Sequence, residues 1–433
     1  MKNTFFLLLL CCFVSCMGTK RAALKKSFKN SDTFAKGHTG FMLYDPEKQK
    51  TVYSSNEDQY FIPASNTKLF TFYVAQKILG DSVIGLKYTE RGDSLIFWGT
   101  GDPSFLHADL KSSAAYDFLK NHPKALYYAN NFDQVVALGP GWSWDWYNYY
   151  FATERSSFPV FGNVIRISKD PADTAFTVSP YQFRDYITED TTLATPSYRF
   201  SRQFQRNYYT YSIKDPSLEF EIDRPFILSD SLVVRLLEDT LQRQIQLVPF
   251  RDYYRQAPQT LKTVAADSLY KRMLQNSDNF IAEQLLILSS DKLFDSLDID
   301  AVIKYAKKNF LADLPDEPQW ADGSGLSKHN LFTPRSIIAL LQKIDREYPD
   351  EKILNYLPTG GKTGTLKNSY KAETPYVHAK TGSLSNVSCL SGYLITKSGK
   401  KLYFSFMHNN YVIPVSALRS EMERILWQIH STY

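Results

Sequence analysis

Residues 61–71 read FIPASNTKLFT, and the fold turns on how this stretch is understood. Ser65 and Lys68 stand three apart at the head of a run that continues FYVAQKIL. On a helix that spacing puts both side chains on one face. A serine hydroxyl is a poor nucleophile and needs a base within hydrogen-bond reach. A lysine serves as that base near neutral pH only when burial or a neighbouring cation lowers its pKa, so a second cation belongs to the expectation. Ser-x-x-Lys alone is a weak signal, since it recurs at Ser268…Lys271, Ser289…Lys292 and Ser398…Lys401. Only Ser65…Lys68 has a proline just upstream (Pro63) and is followed by both Ser277-Asp278-Asn279 and Lys380-Thr381-Gly382.

Those three motifs in that order are the signature of penicillin-interacting serine enzymes. Here the chain resembles the low-molecular-mass class C penicillin-binding proteins, the D-alanyl-D-alanine carboxypeptidase/endopeptidases of peptidase family S13. SDNFIAEQLL is similar to that family's second-motif helix, ADGSGLSKHNLFTP to its Asp-Gly-Ser-Gly-Leu-Ser segment, and LPTGGKTGTL to the stretch before its third motif. GTGDPSF and GPGWSWDW are similar to stretches around and within its inserted domain, and the long interval from Ser65 to Ser277 fits that insertion. The resemblance covers about residues 35–410. It implies the penicillin-binding transpeptidase / serine β-lactamase-like α/β fold: an antiparallel sheet flanked by helices, with a large β-rich domain inserted between the first and second motifs.

Two further matches are read as decoys. Lys362-Thr363-Gly364-Thr365 repeats the Lys-Thr-Gly, but the functional motif needs an edge-like strand that pairs with an extended peptide, followed by another strand. YVHAKTGSL, with NVSCLSGYLI after it, meets that need; Lys362 follows Gly360-Gly361 and has no strand pattern upstream. Glu351-Lys352-Ile353-Leu354-Asn355 matches the deacylating Glu-x-x-Leu-Asn of class A β-lactamases, but stands nearer the third motif than the second and reads as a helix end. His378, on the same strand face as Lys380, reads as structural, and the aromatic cluster at 142–151 as core of the insertion rather than a sugar-stacking platform. No Gly-x-Ser-x-Gly elbow, His-Glu-x-x-His or P-loop occurs.

The remaining chain bounds the reading. At 433 residues it suits two domains, or one with a large insertion. A net charge of +5 without an arginine-rich helix or a basic run gives nucleic-acid binding no support. MKNTFFLLLLCCFVSC has the order of an export signal (charge, short apolar run, small residue) and resembles a lipoprotein leader cleaved before Cys16, which would carry the lipid. The expected location is therefore the periplasm, with membrane contact only through that anchor. Beyond this leader the body holds only Cys389, so no disulfide framework is expected.

The expected organisation is a signal peptide over 1–16, a transpeptidase-like part over 30–105, an inserted β-rich domain over 106–254 and a second transpeptidase-like part over 255–433. A polar stretch precedes a hairpin at 40–54; helices are expected from PASNTK to about Gly80 and at 262–275, 279–290, 299–310 and 334–346. Three strands and a closing amphipathic helix, PVSALRSEMERILWQIH, complete the chain.

The resemblance implies acyl transfer from stem peptides of peptidoglycan that end in D-Ala-D-Ala, with β-lactams acylating the same serine. Ser65 would be the nucleophile and Lys68 its base, kept neutral with help from the charge of Lys380. Ser277 would relay the proton to the leaving amine, and Asn279 would hold the substrate amide and steady Lys68. Lys380, Thr381 and Ser383 would bind the terminal carboxylate, with Gly382 counted beside Thr381 and Ser383 among the substrate-binding residues, and the backbone N–H groups of Ser65 and Ser383 would form the oxyanion hole. Asp278 would be buried and structural. No metal or organic cofactor is implied. Two other readings stay open: a serine β-lactamase or esterase on the same fold, and a non-catalytic cell-wall-binding lipoprotein.

Overall fold

The computed structural model describes residues 20–131, 135–193, 195, 197–215 and 217–433; the leader and Cys16 lie outside the described residues. A helix, α1 (20–29), opens the described chain where only a polar stretch was expected. Among its basic residues Leu24 and Phe28 are four apart, and both are buried against Phe34, Phe41, Tyr53 and Phe406. The hairpin follows as β1 (His38–Asp45) and β2 (Lys50–Ser55), then α2 (Thr67–Leu79), which stops at Gly80. Every position of α2 but Gln76 and Lys77 is buried, as expected of a helix apolar on all sides.

The second unit begins earlier than residue 106 and ends later than 254. Strands β3 (Ser82–Arg91) and β4 (Ser94–Gly99) form a hairpin. Helix α3 (Ala114–Asn121) then leads to β5 (Ala125–Asn130), which lies parallel to β4. Six short strands follow: β6 (Val164–Lys169), β7 (Thr177–Ser179), β8 (Ile187–Glu189), β9 (Tyr198–Arg202), β10 (Tyr209–Ile213) and β11 (Phe220–Pro225). Helix α4 (Asp230–Leu241), β12 (Ile245–Pro249) and β13 (Gln259–Ala265) close the unit. Its sheets are ordered β12-β5-β4-β3-β13, β8-β10-β9 and β11-β6-β7. These bounds differ from the expected 106–254 because β3 pairs with β13 from the far end of the insertion and β4 lies between β3 and β5, and period-2 patterning does not say which partner a strand will find. The unit has its own core, from Leu86, Phe97 and Tyr128 to Ile165, Phe200 and Leu236.

The chain then returns to the first unit through α5 (Ala266–Gln275), α6 (Asn279–Phe294), α7 (Ile299–Asn309), α8 (Pro334–Glu347) and α9 (Asp350–Tyr356). Residues 262–265, expected to be helical, instead belong to β13. Strands β14 (Val377–Leu384), β15 (Val387–Ile395) and β16 (Lys401–Asn409) and helix α10 (Val415–Thr432) end the chain. The sheet β14-β15-β16-β1-β2 is antiparallel throughout and has β14 at its edge. Alternation along β16 sends Tyr403 and Met407 into the core under α2, α6 and α8, and Phe404 and Phe406 into the core under α1 and α10. The sheet is thus covered by helices on both faces. No described helix is long and apolar enough to cross a membrane.

Candidate active site

Ser65 sits at a sharp entry to α2. Phe61 exchanges backbone hydrogen bonds with Phe332, and Ala64 then takes a left-handed conformation (φ 47°), rare for a residue with a Cβ. A 3₁₀ turn, Ala64–Asn66, presents Ser65 half-buried before the helix proper starts at Thr67. Two glycines let other segments approach this turn. Gly325, at φ 84°, packs so closely that a Cβ there would overlap the Ala64 carbonyl, and a Cβ at Gly382 would lie 2.5 Å from the Pro63 carbonyl. Asn66 Nδ2 donates to the Lys380 carbonyl at 2.9 Å, tying the turn to β14.

Lys68, one turn along α2, is fully buried. Its Nζ lies 2.8 Å from Ser65 Oγ, 2.6 Å from Asn279 Oδ1 and 2.6 Å from the Ser324 carbonyl. A neutral amine has two N–H bonds and one lone pair. Asn279 Oδ1 and Ser324 O can only accept, so they take both hydrogens and leave the lone pair facing the Ser65 hydroxyl. Burial pulls the Lys68 amine down to about 8, against the upward pull of Asp322, Glu283 and Asp278. The expected help from a cationic neighbour is not the leading cause.

The second motif lies between α5 and α6. Ser277 has a left-handed backbone (φ 58°), which turns the chain sharply before α6. Asp278 is half-buried rather than buried: its Oδ1 caps α6 by accepting from Ile281 N, and its Oδ2 accepts from Arg272 Nε at 3.0 Å. Asn279 opens α6, and its Nδ2 donates to the Phe151 carbonyl at 2.8 Å. That bond fixes which way the amide faces and leaves Oδ1 for Lys68.

On the edge strand β14, Lys380 Nζ donates to Ser277 Oγ and to the Thr381 carbonyl, each at 2.8 Å. Burial, with repulsion from Lys68 second, holds the Lys380 amine well below its ordinary range. Thr381 Oγ1 lies 2.8 Å from Thr365 Oγ1, and Ser383 Oγ accepts from Arg419 Nη2 at 3.0 Å. A cleft of about 830 Å³ runs along these residues, lined by Ser65, Ser277, Asn279, Thr381 and Ser383, with Trp146, Tyr150 and Phe151 on the side of the second unit. Lys380 has no exposed surface, and its Nζ stands directly behind Ser277 Oγ, which lines the cleft.

The decoys fall elsewhere. Lys362 is exposed in a loop, and Glu351 is exposed in the first turn of α9; neither lines the cleft. Lys271 and Ser268 are exposed on α5, while Ser289 bonds the Leu285 carbonyl within α6. His378 contacts Thr359 through its ring nitrogen and takes no place in the cleft. The aromatic run at 142–151 is not core: no residue of Trp144–Asn148 is buried, and Trp144 is 74 % exposed.

Several contributors lie in segments that the sequence marks without assigning these residues a role. Glu283, fully buried on α6, accepts from Arg155 at 2.9 and 2.6 Å and from the Ser324 N–H at 2.7 Å, which sets the carbonyl that Lys68 uses. Asp322 gathers the N–H groups of Gly325 and Ser327, the Asn330 amide and the Trp142 indole. Arg155, Phe151 and Trp142 belong to the second unit, so the insertion helps to build the site. Among the described residues no group of three His, Cys, Asp or Glu could hold a metal ion.

Comparison with known proteins agrees with this architecture. The model of the D-Ala-D-Ala carboxypeptidase 3 (S13) family matches residues 21–428. The chain is 22 % identical over 423 residues to the D-alanyl-D-alanine carboxypeptidase DacB of Haemophilus influenzae, covering 86 % of each sequence. The crystal structure of penicillin binding protein 4 (dacB) from Haemophilus influenzae superposes with a TM-score of 0.72 at 18 % identity, over 94 % of this chain and 99 % of that one. A structure of the same protein complexed with a novel β-lactam superposes with a TM-score of 0.66 at 17 % identity, covering 94 % of this chain and 97 % of that chain.

Proposed function

Because the chain belongs to the D-Ala-D-Ala carboxypeptidase 3 (S13) family, we propose that its cleft releases the terminal D-alanine of peptidoglycan stem peptides through an acyl-enzyme on Ser65. The protein is a serine-type D-Ala-D-Ala carboxypeptidase with the penicillin-binding fold. The observation that carries the residue-level reading is the environment of the Lys68 amine: two obligate acceptors take its hydrogens and its third neighbour is Ser65 Oγ at 2.8 Å.

The steps follow from that geometry. A stem peptide lies along the edge of β14 beyond Ala379, where residues 358–360 no longer pair with it, and Lys68 takes the proton as Ser65 Oγ attacks the penultimate D-Ala carbonyl. The N–H groups of Ser65 and Ser383 receive the developing oxyanion. Ser277, in contact with Lys380, relays the proton from Lys68 to the leaving amine, giving up its own hydroxyl hydrogen and taking the one Lys68 holds. Water then hydrolyses the ester, giving a peptide one residue shorter. A β-lactam acylates the same serine. Among the described residues the cleft offers one carboxylate, Glu423, whose Oε1 already accepts from Tyr370 N, so rapid deacylation of a penicillin is not expected. The order of charge, apolar run and Cys16 in the leader supports export and lipidation at Cys16, hence a lipid-anchored periplasmic enzyme.

The test is the intact mass of the leaderless protein after brief exposure to a penicillin, beside Ser65→Ala, together with D-alanine release from a D-Ala-D-Ala peptide. One drug mass on the wild type alone, with D-alanine released, is the expected result. Penicillin consumed without an adduct would make the protein a β-lactamase. Intact drug with no D-alanine release would favour a non-catalytic wall-binding protein.

A further inference from the structure

The geometry points to Arg419, on α10, as the cation that receives the free α-carboxylate of the substrate's last residue. A free carboxylate is best met by a cation whose donors face the cleft, and the Lys380 amine, with no exposed surface, already donates to Ser277 Oγ and the Thr381 carbonyl. Of the residues lining the cleft, only Arg419 and Glu423 carry charge among those described. Glu423 sits one turn further along α10 and is engaged by the Tyr370 N–H. Arg419 is exposed, makes no ion pair, and has Nη2 3.0 Å from Ser383 Oγ. Its fork therefore stands beside the Ser383 hydroxyl, on the face of β14 that Ser383 shares with Thr381. A guanidinium offers a carboxylate two parallel N–H donors, a match that a point-charge ammonium does not reproduce. This inference rests on the carboxypeptidase reading and adds the residue that makes the enzyme require a free C-terminus.

The test compares two peptides, one ending in D-Ala-D-Ala with its free acid and one with a C-terminal amide, on wild type, Arg419→Gln and Arg419→Lys. A charge-assisted hydrogen bond of the usual strength sets the expected loss for Arg419→Gln at about 10- to 100-fold in KM for the acid. The kcat should stay within about threefold, and kcat/KM on the amide should not change. The wild-type preference for acid over amide should shrink by the same factor, and Arg419→Lys should keep an intermediate preference. An unchanged preference in Arg419→Gln would overturn the inference, and so would equal losses on acid and amide, the mark of a merely structural role. These outcomes are separate from failure of the carboxypeptidase reading, in which the wild type would release nothing from the acid peptide.

Discussion

Acylation by a penicillin should rise with pH through a midpoint near 8, because the base proposed for Ser65 is a buried lysine. Lys68 has no exposed surface, and burial lowers its amine from the ordinary 10.5 to about 8. The sign follows directly: below the midpoint the group is an ammonium, which has no lone pair for the Ser65 proton. The rate should therefore fall about tenfold per pH unit below 8, reaching about 100-fold under its plateau at pH 6. At pH 7 about a tenth of the molecules hold Lys68 neutral, against roughly 1 in 3,000 for an ordinary lysine, so burial gains about 300-fold in active base. The assay is stopped-flow acylation by a fluorescent penicillin from pH 5.5 to 9.5, with Lys68→Arg as control. That variant keeps the charge but cannot be deprotonated, so its acylation should vanish at every pH while the fold persists. A flat profile, a midpoint at or below pH 6, or acylation surviving in Lys68→Arg would refute the assignment of Lys68 as base.

Two further perturbations test the frame around the site. Arg155→Met leaves the Glu283 carboxylate buried without its counter-charge, which should cost about 3–5 kcal/mol in urea unfolding; the double variant with Glu283→Met should recover much of that loss, and a single-variant cost below about 1 kcal/mol would rule out a buried charged pair. His408, buried between β1 and β15, titrates at about 4 because burial and then His38 oppose its charge. Its folded value lies below the unfolded 6.5, so the unfolded chain binds the extra proton between those values and stability drops as pH falls through that window, by about 1.4 kcal/mol per unit. His408→Gln should flatten this slope in denaturation curves taken at pH 7, 6 and 5; a slope unchanged in the variant would assign it to other groups.

The catalytic triplet is legible in the sequence because each motif also marks a local event: a helix start at Ser65, a capped helix start at Asp278, and an edge strand at Lys380. The helices over 279–290 and 334–346 and the last three strands are legible for a similar reason, since their periodicity is internal to each segment. What escapes the sequence depends on partners. Leu24 and Phe28 form a helix face only because Phe41 and Phe406 receive them, and their basic neighbours hide the pair. The extent of the insertion depends on β3 finding β13, whose residues pair across separations from Tyr88–Gln259 to Ser82–Ala265. Arg155 and Arg419 reach the site from elsewhere along the chain, and nothing beside them in sequence marks them. The aromatic run at 142–151 shows the limit of composition, which says the residues are apolar but not that they face a cleft.

The carbonyl of Phe151 has a consequence for how such an enzyme can be rebuilt. It holds the Asn279 amide nitrogen while Lys68 holds the oxygen, and Arg155 from the same segment neutralises Glu283 behind the Lys68 acceptor. The insertion is therefore not cargo that can be cut out to leave a working minimal enzyme. A shortened version would need a new acceptor for Asn279 Nδ2 and an uncharged residue at position 283 before its first turnover. Grafting the three motifs onto a compact relative would face the same two debts in reverse.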